Sequence, residues 1–161
     1  MNRILIFGNS GSGKSTFANQ LAAEYSLPYL DLDIITFDSP GLRKSFIDSK
    51  NDLLVFIKMN KYWIIEGCYG SLIQEASVFC TELFFLNPGI DICKNNNSKR
   101  PWEPHKYKSI ADQNKNLDML QNWVSEYESR DDEYSFNYHR SIFDNYSGNK
   151  KEFKSLSEYR I

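Results

Sequence analysis

The chain has 161 residues, of which 41% are hydrophobic and 25% charged, a composition typical of a globular protein with a substantial core. Its formal net charge of −2 argues against broad nonspecific binding to nucleic acid, although a local basic patch stays open. No apolar run approaches the roughly 20 residues of a membrane-spanning helix. The three cysteines lack C-x-x-C spacing, which indicates reduced thiols. We therefore expect one cytoplasmic domain over residues 1–161 with no membrane partner, and the sequence leaves its oligomeric state open.

The first predicted element is an apolar strand, Arg3–Phe7, and it runs directly into the motif G-x-x-x-x-G-K-S. Glycines let successive backbone N–H groups surround a phosphate chain, and the following helix adds the positive end of its dipole. Lys14, expected at an exposed loop end, supplies a charge for the β- and γ-phosphates, and the Ser15 hydroxyl is placed to bind Mg²⁺. The motif thus predicts a nucleotide and Mg²⁺ as ligands, and it leaves the choice between ATP and GTP open. The predicted nucleotide-binding residues are Gly8, Ser10, Gly11, Ser12, Gly13, Lys14, Ser15 and Thr16.

Apolar runs alternate with helical patterns along the rest of the chain, which predicts a parallel sheet with crossover helices. The further predicted strands cover 27–30, 62–66, 81–86 and 151–156. The predicted helices cover 14–25, 42–60, 71–76, 88–97 and 109–129, and a last one begins at 131 or 132 and ends before 148. Residues 98–108 contain two prolines that forbid a continuous helix. We expect this segment to be a lid that is mobile without nucleotide and ordered with it.

Three carboxylates fall at the ends of predicted strands, where open α/β sheets bind their ligands. Asp31 and Asp33 end the second strand and would point the same way in extended geometry. One could then hold Mg²⁺ through water while the other accepts a hydrogen bond from an attacking hydroxyl. The alternatives are a pair of solvated loop carboxylates or a cap for the next helix. Glu66 follows an apolar strand and suits contact with magnesium or substrate, with a surface acid as the alternative.

Two cations, Lys99 and Arg100, lie near the start of the lid-like segment. Phosphoryl transfer needs positive charge that arrives when the site closes, and the guanidinium fork of Arg100 can bind two phosphate oxygens. An ordinary basic loop is the alternative. Trp102, His105 and Tyr107 could stack on a base or cover the site, or else pack at a lid hinge. A catalytic role for His105 is not favoured, because phosphoryl transfer has little need of a histidine base.

Together these residues resemble the small P-loop kinases of the adenylate-kinase-like group, and most of all the bacterial set labelled DNA topology modulation proteins. That set shares the motif of residues 8–16, a Leu-Asp followed by an aromatic residue, a Trp-Ile-Ile-Asp-Gly-Asn-Tyr segment, and a strand that ends in Phe-Leu. The matching residues here are Leu32-Asp33 with Phe37, Trp63 to Tyr69, and Phe85-Leu86. This chain departs from the set at Glu66 and Cys68, and it has fewer arginines near the lid. Shikimate kinase is similar in its Asp-x-Asp, matched by Asp31 and Asp33.

The resemblance implies a three-layer α/β/α P-loop NTPase sandwich with a five-stranded parallel sheet in the order 2-3-1-4-5. It also implies ATP- and Mg²⁺-dependent phosphoryl transfer to a small molecule or nucleotide. Lys14, Asp33 and Arg100 would be catalytic, and Ser15, Asp31 and Glu66 would lie at the metal. Two alternatives stay open. One is a nucleotide-binding regulator with weak ATPase activity, which the arginine-poor lid favours. The other is a nucleic-acid-linked factor such as a polynucleotide 5′-kinase.

Overall fold

The computed structural model describes residues 2–39, 41–104 and 107–159, and its centre is a five-stranded sheet. The strands are β1 (Arg3–Gly8), β2 (Tyr29–Asp31), β3 (Phe37–Ser39), β4 (Leu42–Arg43), β5 (Trp63–Gly67), β6 (Glu82–Leu86) and β7 (Asn149–Phe153). The sheet has the order β2-β5-β1-β6-β7, and every neighbouring pair in it is parallel. Numbered along the chain, its members stand in the order 2-3-1-4-5. The predicted fold class and strand order are therefore confirmed.

Helices cover both faces of this sheet. They are α1 (Lys14–Tyr25), α2 (Leu32–Thr36), α3 (Phe46–Met59), α4 (Gly70–Ser77), α5 (Ile90–Ser98), α6 (Ile110–Lys115), α7 (Leu117–Ser125) and α8 (Phe136–Asn145). Side chains of the central strand alternate between two cores, Leu5 and Phe7 in one and Ile4 and Ile6 in the other. This burial on both faces is typical of parallel sheets. Within the described residues, no helix is long and apolar enough to cross a membrane.

Several predicted boundaries are wrong because polar side chains cap the backbone. The predicted helix 109–129 is divided at Asn116, whose amide donates to the Asp112 carbonyl, and a 3-10 turn follows at Glu126–Glu128. The predicted helix 42–60 begins only at Phe46, because Ser45 caps it and the residues before it pair as β4. The predicted last strand 151–156 lies at 149–153, and a capping box at Ser155 starts a 3-10 turn.

A fully buried histidine, His139, joins α8 to the segment after β5. Its Nε2 lies 2.9 Å from the Cys68 carbonyl oxygen, which can only accept, so this nitrogen carries the proton. Its Nδ1 lies 2.8 Å from the Tyr127 hydroxyl and accepts from it. Burial, together with the charges of Lys14 and Arg130, lowers the pKa of His139 to about 3. His139 is therefore neutral at physiological pH.

This buried neutral imidazole predicts a pH-dependent stability. The unfolded chain binds a proton at His139 below pH 6.5, whereas the folded chain does so only near pH 3. The contribution of His139 to the free energy of unfolding is therefore complete above pH 6.5, and it decreases as the pH falls toward 3. Between pH 7 and pH 5 we expect this residue to account for a loss of about 2 kcal/mol.

The measurement is chemical denaturation at pH 7 and pH 5 of three proteins: the wild type, His139→Gln and, as a control, Ile142→Val. The control is a buried apolar substitution in the same helix, which lowers stability by about 1 kcal/mol without removing a titrating group. The His139→Gln protein should lose less stability on acidification than the other two. An equal loss in all three proteins would show that His139 does not carry the effect.

Candidate active site

The phosphate-loop backbone lies so close to β6 and α5 that side chains are excluded from it. A Cβ at Gly8 would lie 2.2 Å from the Leu86 carbonyl oxygen, and one at Gly11 would lie 2.2 Å from the Cys93 carbonyl oxygen. Gly11 also has φ 82°, in the left-handed region that favours glycine. The glycines are therefore required by close packing as well as by backbone conformation.

Helix α1 begins at this loop and presents an uncapped N-terminus to a cavity of about 1030 Å³. Its N-cap residue, Gly13, provides no side-chain hydrogen bond, and its first turn contains no acidic residue. The N–H groups of that turn lack helical partners, and the helix dipole places partial positive charge beside them. Lys14, Ser15 and Thr16 line the cavity at this point. The arrangement suits an anion such as a phosphate.

Lys14 is buried, with only 8% of its surface exposed, so the expectation of an exposed loop end is wrong. It is the first residue of α1, and its Nζ donates to the Asn9 carbonyl oxygen at 2.8 Å. The lysine therefore binds back to its own loop, and its charge is held next to the loop backbone. Its ammonium thus lies at the cavity wall, where a phosphate bound in the loop would meet it.

Three successive loop carbonyls accept hydrogen bonds from side chains that sequence reasoning missed. Amides of α5 and a phenol from the C-terminal 3-10 turn act as donors. The pairs are Asn97 to the Ser10 carbonyl (3.4 Å), Asn96 to the Gly11 carbonyl (2.8 Å) and Tyr159 to the Ser12 carbonyl (2.6 Å). These contacts satisfy the carbonyl oxygens of three successive loop residues and fix the loop backbone. In the sequence the two asparagines look like a polar helix end, and no local signal marks their role.

Glu66 lies beside the phosphate loop near the end of β5, and the residue is 2% exposed. The Ser15 hydroxyl donates to its Oε1 at 2.7 Å, and the Tyr29 hydroxyl donates to the same oxygen at 3.0 Å. Burial and the negative charge of Glu66 raise the pKa of Tyr29, which keeps the phenol protonated and able to donate. A hydroxyl and a carboxylate are oxygen ligands of the kind that Mg²⁺ prefers. This donor set therefore fits the metal that accompanies ATP.

The two aspartates do not share an extended segment, so that part of the prediction is wrong. The chain turns into α2 at Leu32, and Asp31 caps this helix by accepting from the Asp33 backbone N–H at 2.8 Å. Asp33 lies in the first turn of α2, lines the cavity and accepts a hydrogen bond from the Tyr69 hydroxyl. Burial, with the Asp33 carboxylate adding to it, raises the pKa of Tyr69. Tyr69 is thus a fixed donor that orients Asp33.

Arg100 joins the lid-like segment to the phosphate loop. Its Nη1 pairs with Glu103 Oε2 at 3.0 Å, and its Nη2 donates to the Ser10 hydroxyl at 3.4 Å. Gln113 of α6 holds the same segment through the Pro101 carbonyl (3.0 Å) and the Glu103 backbone N–H (2.9 Å). Part of the predicted lid, His105 and Lys106, lies outside the described residues. Ser98 belongs to α5.

The β3–β4 hairpin adds residues to the cavity that sequence reasoning did not select. Phe37 and Arg43 come from its two strands and line the cavity, as do Tyr69 and Trp123. The sequence carries a usable signal here, because a Pro-Gly dipeptide between two short strand-forming runs indicates a hairpin. The structure thus brings Lys14, Ser15, Asp33, Glu66 and Arg100 to one cavity, together with these hairpin residues. Asp31 is not among the described residues that line it.

No protein-family model matches the chain, and no curated protein sequence matches it significantly. Solved structures do match. A deoxyadenosine kinase from M. mycoides with bound dATP has a TM-score of 0.58 at 10% identity, over 98% of this chain and 94% of that one. A sugar kinase from Janibacter sp. HTCC2649 has a TM-score of 0.54 at 16% identity, over 96% and 85%. A shikimate kinase from Aquifex aeolicus has a TM-score of 0.51 at 16% identity, over 98% and 90%.

These proteins are all kinases, and their lengths are nearly covered by this chain. At such low identity the likeness concerns the fold alone. The sheet order, the glycine loop and the matched structures agree with one another. The chain has the fold of the small P-loop kinases.

Proposed function

We propose that this protein transfers the γ-phosphoryl group of ATP, with Mg²⁺, to a hydroxyl of a small molecule. The observation that carries the proposal is that two kinds of groups line the same cavity. One kind, the uncapped α1 N-terminus with Lys14 and Ser15, suits polyphosphate. The other is the oriented carboxylate of Asp33, which suits a hydroxyl that must lose a proton.

The phosphate loop would hold the β- and γ-phosphates through its backbone N–H groups. Lys14 would exchange its hydrogen bond with the Asn9 carbonyl for contacts with phosphate oxygens. The side chains that bind the loop carbonyls would keep these N–H groups in place before nucleotide arrives. Such preorganisation matters because donors that need no rearrangement stabilise developing charge most effectively.

Ser15 and Glu66 would hold the magnesium ion, the first through its hydroxyl and the second through a bound water. Bound there, the ion would neutralise charge on the β- and γ-phosphates. Tyr29 keeps the Glu66 carboxylate turned toward Ser15. Asp31 caps α2, which favours Glu66 over Asp31 as the metal-side carboxylate. Asp31 would instead stabilise the first turn of α2, where Asp33 lies.

In the transfer step, the acceptor oxygen forms a bond to the γ-phosphorus as the bond from that phosphorus to the bridging β-phosphate oxygen breaks. Asp33 takes the proton of the acceptor hydroxyl, and ADP leaves. Lys14 and Arg100 stabilise the negative charge on the migrating group. Arg100 is near enough for this, since it already reaches the phosphate-loop residue Ser10.

The names of the structural neighbours support a kinase reaction, since they include a sugar kinase, a deoxyadenosine kinase and a shikimate kinase. They differ in acceptor, so they do not select one. We assign the reaction to the cytoplasm, where ATP is available and where thiols such as the three free cysteines of this chain stay reduced.

One contact favours a second function, a nucleotide-binding regulator with weak ATPase activity. Arg100 is paired with Glu103, which neutralises a cation that transfer would use. If this pair persists with nucleotide bound, only slow hydrolysis is expected. An increase in ADP release on addition of an acceptor would distinguish the kinase from the regulator.

The first prediction for this function concerns Lys14→Met. This change keeps the length of a buried side chain but removes its charge, so ADP release from Mg·ATP should fall by about 10²- to 10³-fold. The matched control is Lys61→Met, which removes an exposed cation just before β5, at the sheet edge opposite the cavity. Steady-state ADP release and thermal melting would be measured for both. Near wild-type turnover in Lys14→Met would contradict the proposed role.

The second prediction separates the metal-side carboxylate from the acceptor-side one. Glu66→Gln should weaken Mg·ATP binding about tenfold while leaving metal-free ATP binding nearly unchanged, because only the magnesium complex uses its charge. Asp33→Asn should bind Mg·ATP normally and lose acceptor-stimulated ADP release by about 10²- to 10⁴-fold. Calorimetric titration with and without Mg²⁺ would test the first, and ADP release the second. Equal effects of both changes on Mg·ATP binding would contradict this division of roles.

A further inference from the structure

The guanidinium group of Arg43 lies close to three aromatic rings at the hairpin end of the cavity. The central guanidinium carbon of Arg43 lies 5.5 Å from the centre of the Phe37 ring, 5.9 Å from that of Tyr69 and 5.7 Å from that of Tyr134. Its Nη1 donates to the Tyr134 hydroxyl at 2.8 Å. Among the described residues it forms no ion pair with a carboxylate. Neutral rings thus hold in place a cation that lines the cavity.

A second arginine has the same kind of support nearby. The guanidinium of Arg130 lies 4.0 Å from the centre of the Trp123 ring, and Trp123 in turn contacts Tyr134 edge to face, with ring centres 5.6 Å apart. Within the described part of the chain, Nε and Nη2 of Arg130 are buried without a hydrogen-bond partner. Two positive groups therefore lie on this aromatic cluster, which we call the arginine–aromatic cluster (Phe37, Arg43, Tyr69, Trp123, Arg130 and Tyr134).

The hairpin end of the cavity presents a cation as well as aromatic rings. Here Arg43 approaches three of the rings and Arg130 lies over the fourth. A ligand entering this part of the cavity would meet the guanidinium group of Arg43. That group binds carboxylates and phosphates through paired hydrogen bonds.

Tyr69 relates this cation to the proposed acceptor carboxylate. Its hydroxyl donates to Asp33, and its ring contacts the guanidinium of Arg43. Tyr69 therefore contacts both the negative and the positive group. A molecule that places a hydroxyl at Asp33 and extends along Tyr69 would meet the guanidinium of Arg43.

We infer that the phosphoryl acceptor is a small anionic alcohol, either a hydroxy acid or a sugar phosphate, whose carboxylate or phosphate binds Arg43. This inference rests on the proposed function, because it describes the acceptor of that reaction. The anion would bind the guanidinium by paired hydrogen bonds, and Arg130 would add positive potential through the cluster. The acceptor hydroxyl would remain at Asp33, next to the phosphate loop.

The experiment compares anionic acceptors with uncharged counterparts of similar size. ADP release from Mg·ATP would be measured with gluconate, shikimate and glucose 6-phosphate, and with glucose, glycerol and deoxyadenosine. The wild-type protein should respond to at least one anionic compound about tenfold more strongly than to any uncharged one. A response to gluconate or shikimate alone identifies a carboxylate ligand, and a response to glucose 6-phosphate alone identifies a phosphate.

Two substitutions of Arg43 then test the residue itself. Arg43→Met should raise the KM for the active anionic acceptor by about 10- to 100-fold, and Arg43→Lys by less, since lysine keeps the charge but not the fork. Both should bind Mg·ATP as the wild type does, and Lys61→Met should change neither quantity. Arg43 is exposed, so these variants are expected to fold, and thermal melting would verify this.

The outcomes separate this inference from the proposed function. Failure of the wild type to bind Mg·ATP would overturn both. Normal Mg·ATP binding with a stronger response to glucose, glycerol or deoxyadenosine would leave a kinase but overturn the anionic acceptor. If no compound stimulates ADP release, calorimetry would measure binding of the anionic probes to the protein in complex with Mg²⁺ and a non-hydrolysable ATP analogue. The inference is then wrong if no anionic probe binds, or if the probes bind Arg43→Met as tightly as the wild type.

Discussion

The phosphate loop depends on a close contact between backbones. Gly8 and Gly11 approach carbonyl oxygens of β6 and α5 so closely that a Cβ would overlap with them. This contact fixes the turn from β1 into α1, and side chains of α5 and Tyr159 bind the carbonyls of three successive loop residues. The free N–H groups at the start of α1 then face the cavity. Glu66 and Arg100 contact this loop through Ser15 and Ser10.

Two tyrosine hydroxyls, one half-buried and one buried, hold the carboxylates around the loop. Tyr29 holds Glu66 against Ser15, and Tyr69 holds Asp33 at the cavity wall. Burial raises the pKa of both phenols, so each stays protonated and able to donate at neutral pH. Hydrogen bonds of fixed direction preorganise the two carboxylates for different tasks. In the proposed reaction, Glu66 would serve the nucleotide side and Asp33 the acceptor side.

The sequence predicts the sheet and the phosphate loop well, because strand patterning and the glycine motif act locally. It predicts less well where one polar side chain changes the backbone, as when Asp31 caps α2 and separates the two aspartates. Arg43 and Asn96 could not be selected from local patterns, since their partners lie far away along the chain. The Pro-Gly dipeptide marks the hairpin, but sequence alone does not reveal that the hairpin folds over the cavity.

Hydrogen–deuterium exchange tests the central claim, that the loop at residues 8–16 is a preformed phosphate cradle. Exchange would be followed with and without Mg²⁺ and a non-hydrolysable ATP analogue, with adenosine as the phosphate-free control. Protection should increase at the backbone amides of residues 8–16 with the analogue and stay unchanged there with adenosine. Unchanged exchange at these amides on saturation with the analogue, or equal protection by adenosine, would contradict it.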